Sequence, residues 1–202
     1  KNSRKIYEES RFNGYKKHLR EKNEGHDINQ LNAETELILN SCHSPRIEGS
    51  WDRRGLVYGH VQSGKTANYV GLINRALDHG YKIIIVLTGM TEDLRRQTQE
   101  RIDDGIVWRR TLQKDIIRQG TNRENDLSKR EEVRLSSDYS YKDKSIWVIK
   151  KNKTVLDNLI RWINSQIIKQ GGNKLENVPV LIIDDEADNA SIQSLSKKEY
   201  LE

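Results

Sequence analysis

Two short runs of this chain carry residue types at spacings suited to chemistry on a polyphosphate. The first, Gly59-His-Val-Gln-Ser-Gly64-Lys65-Thr66, fits the phosphate-binding pattern G-x-x-x-x-G-K-[ST]. Phosphate is a multiply charged anion and needs many donors at close range. Gly59 and Gly64 let the backbone of the loop, including Gln62 and Ser63, curl around it, and a helix starting near Lys65 adds its positive dipole end. The Lys65 ammonium can reach the β- and γ-phosphates of a nucleotide such as ATP, and the Thr66 hydroxyl can ligate Mg²⁺. The second run, Asp184-Asp185-Glu186-Ala187-Asp188, follows the apolar stretch Val178-Pro-Val-Leu-Ile-Ile183. A carboxylate at a strand end can hold Mg²⁺ through water while its neighbour polarises an attacking water. Either Asp184 is the metal group and Asp185 the catalytic acid, or Asp185 is the metal group and Glu186 the base.

These residues need a scaffold that brings position 65 and position 185 together. The spacing predicts a short strand over Gly55–Val61, then a helix over Lys65–His79 with Ala67, Val70, Ile73 and Leu77 on one face and Gly80 at its end. Lys82-Ile-Ile-Ile-Val-Leu-Thr88 reads as a strand buried on both sides, completing a βαβ unit. A helix is expected across 91–119, with Leu94, Thr98, Ile102, Leu112, Ile116 and Ile117 facing inward. In the segment 121–144, 12 of 24 residues are charged, and it reads as a polar surface excursion with a helix around Ser128–Leu135. Ser145–Ile149 restores a strand. Thr154 with Asp157 resembles a capping box opening a helix that turns Leu156, Leu159, Ile160, Ile163 and Ile167 to one face and stops at Gly171-Gly172. Val178–Ile183 reads as a last buried strand. The fold expected is α/β, a parallel sheet flanked by helices over 51–202, preceded by an N-terminal helical extension over 1–50.

Composition narrows the setting. The 202 residues suit one domain, with 35 basic and 30 acidic side chains giving a formal charge of +5. Leu, Ile, Val and Phe supply about a quarter of the chain, above the roughly 20% that marks disorder. Hydrophobic residues reach only 34%, and the chain begins at Lys1, so a piece of a larger protein is expected. No apolar run approaches the roughly 20 residues that span a bilayer, and the first residues lack a signal-peptide core. Cys42, the single cysteine, excludes an internal disulfide, and with His43 it cannot supply the roughly four ligands of a structural zinc site. A cytoplasmic protein with no membrane partner is expected. The basic excess through the middle of the chain suits a polyanion partner, and equally a well-solvated surface.

The loop, the acidic run and the 120 residues between Lys65 and Asp185 resemble the first RecA-like lobe of helicase superfamily two. More closely, Arg54–Thr66, Leu87–Thr98 and Leu181–Ser191 resemble the Z-one domain family. Its members are helicase-like bacterial proteins, often labelled endonucleases, that are associated with DNA restriction and phage defence. The matching covers roughly 51–104 and 145–192 and leaves the first 50 residues and 121–144 largely outside.

That resemblance implies a P-loop NTPase lobe that binds Mg-ATP, with Asp185 as the metal carboxylate and Glu186 as the base, in the manner of a DEAD-type box. It implies nucleic-acid backbone contacts from Thr88, Gly89, Arg95 and Arg96, and from Lys150 and Lys151, with DNA favoured over RNA. It also implies a second RecA-like lobe carrying arginine fingers, which this chain lacks, and links to other defence-system proteins. Trp51, Arg53 and Arg54 precede the loop where an adenine-contacting element could sit, or form a core tryptophan with surface arginines. His60 and Trp147 read as packing residues. Two rivals remain: a P-loop phosphotransferase, and a non-motor nucleic-acid-binding module that uses ATP as a switch.

Overall fold

Three apolar runs rich in β-branched residues form strands of one sheet, and both faces of the two central ones must be covered. The computed structural model describes residues 10–22, 25, 27–49, 52–58, 65–106, 116–138 and 140–187. In chain order the elements are α1 (Arg11–Lys22), α2 (Ile28–Ser41), α3 (Lys65–His79), β1 (Ile83–Thr88), α4 (Glu92–Gly105), β2 (Ile117–Gln119), α5 (Lys129–Asp138), β3 (Lys144–Lys150), α6 (Lys153–Gln170) and β4 (Val180–Asp184). The four strands make one parallel sheet in the order β2-β3-β1-β4.

Successive side chains of a strand point to opposite faces, and here they feed two cores. Ile84, Val86, Ile146 and Val148 pack with residues of α3 and α4, whereas Ile83, Ile85, Trp147 and Ile149 pack with residues of α5 and α6. The chain crosses the first face in moving from β1 out to β2, and the second in returning through β3 to β4. Crossovers of a single hand require that arrangement.

The N-terminal helices share the first core: Tyr15, Leu19, Leu31 and Leu39 cluster with Val70, Ile73 and Leu77 of α3. Asp78, near the end of α3, accepts the amides of Arg11 and Phe12 at 3.0 and 3.1 Å, satisfying donors that the first turn of α1 would leave bare. The Arg75 guanidinium lies 3.9 Å from the Phe12 ring centroid and bonds to Asn32 and Thr35 of α2. Among the described residues no helix is long and apolar enough to cross a membrane.

Several local expectations change. The strand expected over Gly55–Val61 is absent from its described part, where 52–58 is irregular and Leu56, Val57 and Tyr58 are exposed; 59–61 lie outside the described residues. Residues 52–58 pair with no strand among the described residues. The helix expected over 91–119 ends at Gly105. Ile117 is buried as part of strand β2 while Ile116 is exposed, and Leu112 lies outside the described residues. Leu94, expected inside, is partly exposed, because the buried face of α4 runs through Arg95, Thr98, Gln99 and Ile102.

The polar excursion contributes to the core: Leu127 and Leu135 are fully buried, and the Thr121 hydroxyl accepts the Val148 amide at 2.7 Å where β2 has ended. The cap of α6 is Asn152, whose Oδ1 accepts the Val155 amide at 2.9 Å. The helix therefore begins before Thr154, and its buried face is Val155, Asn158, Leu159, Trp162 and Gln166, leaving Ile160 exposed. Gly171, at φ 80°, ends it as expected. Strand β4 is an edge strand, half-covered, with Ile182 59% exposed.

Trp147, expected to be a packing residue, is fully buried, with its ring centroid 4.5 Å from that of Trp162. It lies directly over Gly120, so a Cβ there would fall inside the indole. Gly120→Ala should therefore lower stability by about 1–3 kcal/mol through overpacking, read as a lower urea midpoint with an unchanged slope. An unchanged midpoint would mean that the Trp147 ring is free to shift.

Candidate functional site

The parallel pairing sets three strand ends side by side. In register, Thr88 lies beside Lys150, and Leu87 lies beside Asp184. The chain leaves β1 for α4 on one face and leaves the adjacent β3 for α6 on the other. Such a switch point opens a crevice beyond the strand ends, where open α/β sheets bind ligands. Thr88 and Gly89, Lys150 and Lys151, and the acidic run from Asp184 all sit at this edge.

The two aspartates face opposite ways. Leu181 and Ile183 pack against the α3 side and Val180 against the α6 side, so alternation carries Asp184 to the α6 side. There the Lys151 ammonium donates to both Asp184 carboxylate oxygens, at 3.0 and 2.8 Å, and to the Glu186 carbonyl at 3.1 Å. The Asp185 amide continues the ladder by bonding the Leu87 carbonyl at 3.0 Å, which turns Asp185 to the α3 side. Glu186 reaches back over the end of β1. A Cβ on Gly89 would stand 2.8 Å from Glu186 Oε2 and 2.6 Å from Leu94 Cδ1. A side chain at position 89 would displace the ends of Glu186 and Leu94 from where they rest.

On the α3 side, Asp185 meets the first turn of the helix through Tyr69. Burial raises the Tyr69 pKa, and the negative charge of Asp185 raises it further; nearby Thr66, Arg101 and Thr98 act in the opposite sense. Neither threonine meets hydrogen-bond geometry, and Tyr69 Oη is buried without a partner among the described residues. Arg101 of α4 donates from Nη1 to Thr66 Oγ1 at 3.3 Å. Thr66 and Asp185, 119 residues apart in sequence, thus both lie near Tyr69. A hydroxyl and a carboxylate are hard oxygen donors, and a Mg²⁺ site typically takes only one or two protein groups beside phosphate and water. The Tyr69 hydroxyl near both adds a buried polar group without a partner among the described residues, so these residues fit such an ion. Gly59, Gln62, Ser63, Gly64, the side chain of Lys65 and Asp188 lie outside the described residues, as do Trp51 and His60.

Tyr69 and Arg101 escaped the sequence reading. Tyr69 lies three residues after Thr66 on one helix, a spacing that places both on one face. Arg101 had no local signal, since only the packing of α4 on α3 brings it there.

The candidate nucleic-acid residues are differently placed. Thr88 is buried, its hydroxyl 3.3 Å from the carbonyls of Ile149 and Gly89. Arg95 is fully buried: it pairs with Glu92 at 2.6 Å and donates to the carbonyls of Asn122 and Arg123 at 2.8 and 2.7 Å, holding that loop against α4. Lys150 lies 2.7 Å from Glu92 and 3.5 Å from Asp126. Arg96 is exposed, with Glu92 3.6 Å away. Arg53 and Arg54 are exposed, and Arg54 pairs with Asp52 at 2.8 Å. Burial pushes the Glu92 carboxyl up, but the hydrogen bonds and charges of Arg95 and Lys150 outweigh it, leaving its pKa below the ordinary value. No family model, curated protein or solved structure matches this chain.

Removing the unpaired hydroxyl by Tyr69→Phe should leave the ligand-free chain as stable or more stable, since a buried polar group without a partner costs about 1–3 kcal/mol. A lower denaturation midpoint would reveal a hydrogen bond at Oη. Glu92 yields a pH prediction. Its depressed pKa means its contribution is present above the unfolded Glu value of about 4.3 and lost as pH falls through the lower, folded value. Glu92→Gln should lower stability at pH 7 by on the order of 1 kcal/mol, and the gap from wild type should close toward pH 3 in urea melts.

Proposed function

We propose that this chain is the ATP-binding and hydrolysing lobe of a Z-one-type, DNA helicase- or translocase-like protein of bacterial restriction or phage defence. The observation that carries the reading is the division of the two aspartates. Lys151 engages Asp184 on one face, while Asp185 stands beside Tyr69 and Thr66 on the other. This favours Asp185 as the metal carboxylate and Glu186 as the base over the assignment one residue earlier.

In this reading the loop from Gly59 to Gly64 and the Lys65 ammonium would hold the phosphates, and Thr66 with Asp185 would hold a Mg²⁺ ion, which would supply positive charge to the phosphoryl group being transferred. Glu186, over Gly89, orients a water in line with the γ-phosphorus and accepts its proton. Arginines from a second lobe would stabilise the transferring phosphoryl group, with effects of about 10³–10⁵ in rate, so the chain alone turns over slowly. One observation favours a rival: Arg101 beside Thr66 is an in-chain arginine of the kind a P-loop phosphotransferase needs.

In the protein with both lobes, Glu186→Gln should keep ATP binding and lose hydrolysis by about 10²–10⁴, the range for a general base. Retained hydrolysis would return the base role to Asp185. Turnover stimulated by DNA supports the motor, DNA-independent phosphate transfer to an acceptor supports the rival, and DNA binding without turnover supports a switch.

A further inference from the structure

Lys151 spans the site in a way that neither motif explains. It follows β3, yet its partners lie at the end of β4 and in the turn after it, two strands and roughly 10 Å across the sheet. The side chain is 12% exposed, and its ammonium has three acceptors in reach: both Asp184 carboxylate oxygens and the Glu186 carbonyl. Asp184 Oδ1 also accepts the Glu186 amide at 3.3 Å. One cation therefore ties both ends of the turn 184–186 that sets where the Glu186 carboxylate stands, over Gly89. An ammonium this enclosed, and already paired with Asp184, is poorly placed to serve as a phosphate contact.

We propose that Lys151 is a positioning residue for Glu186. It neutralises Asp184, holds it away from the metal side, and clamps the turn so that the Glu186 carboxylate rests at the end of β1. The proposal rests on the reading of Glu186 as the base, and it assigns Lys151 a part in the site that excludes direct contact with nucleotide or nucleic acid. The partnership also explains why a basic residue follows β3 here: the Asp184 carboxylate, two-thirds enclosed, would otherwise lack a counter-charge at the sheet edge.

The first measurement uses the ligand-free chain. Amide exchange across 184–187 should speed up about tenfold or more in Lys151→Met, with the amides of β1 unchanged. Uniform acceleration would indicate general unfolding, and no change would show that the clamp does not hold the turn; either result overturns the proposal. The second uses the two-lobed protein and ATP. Lys151→Met should lower kcat on the order of 10- to 100-fold, as misplaced groups do, with KM for ATP within about threefold. Lys151→Arg, which can still bridge to Asp184, should recover most of kcat. Asp184→Asn should reproduce the loss, and the double variant should be no worse than either single one. A raised KM with unchanged kcat would make Lys151 a nucleotide contact, and a loss confined to DNA affinity would make it a nucleic-acid contact; both overturn the proposal. Glu186→Gln run in parallel separates the two ideas. If that variant still hydrolyses ATP, the base assignment fails irrespective of what Lys151 does.

Discussion

The pleat at the end of β4 organises the candidate site. Side chains along a strand alternate between faces, so two adjacent aspartates cannot both serve the same side of a sheet. Because β4 pairs in parallel with β1, its last ladder bond, from Asp185 to Leu87, fixes which aspartate goes where. Asp184 falls toward α6 and Lys151, while Asp185 falls toward α3, Tyr69 and Thr66. A slip of one residue in that register would exchange the two roles. The rest of the site inherits this choice: the turn that follows, and the reach of Glu186 over Gly89.

Charge at the strand ends is held in small closed sets. Glu92 lies between Arg95 and Lys150, and Lys151 is matched with Asp184. Partly buried ions are tolerated when each has a partner and its remaining donors are bonded, and removing one partner leaves a charge that neither water nor protein satisfies. Arg95 shows the structural side of this. It is buried among backbone carbonyls, and its work is to fasten the loop at 122–123 to α4. That loop leads into Asp126, whose carboxyl burial pushes up, and into Leu127 in the second core. The same constraint that keeps the strand ends charged thus also fastens the connection from β2 to α5.

Much of the scaffold was legible because its signals are local and strong. The apolar runs at 83–88 and 145–149 could be little other than strands covered on both faces, and α3 showed its period and its closing glycine. The misreadings share one physical cause. Leu94 and Ile160 have the right type for a core, but the faces of α4 and α6 are set by where those helices meet the sheet and by a cap at Asn152. The segment 121–144 looked solvated because half of it is charged, yet a few aliphatic positions, Leu127 and Leu135 among them, suffice to seal the second core. Arg95 and Lys151 looked like surface cations, and only their distant partners reveal otherwise.

By itself the sequence determined the strands at 83–88, 145–149 and 178–183, the helices that follow 65 and 154, a phosphate-loop pattern and an acidic strand end, and the separation of the last two in the chain. Those follow from periodicity and residue type, which are properties of neighbours. The tertiary structure alone decided that Asp184 belongs to Lys151 and Asp185 to the Thr66 side, that Gly89 makes room for Glu186, and that Tyr69 and Arg101 stand beside the first turn of α3. Each of these depends on strand register or on one helix packing against another, and that information is shared between residues tens of positions apart.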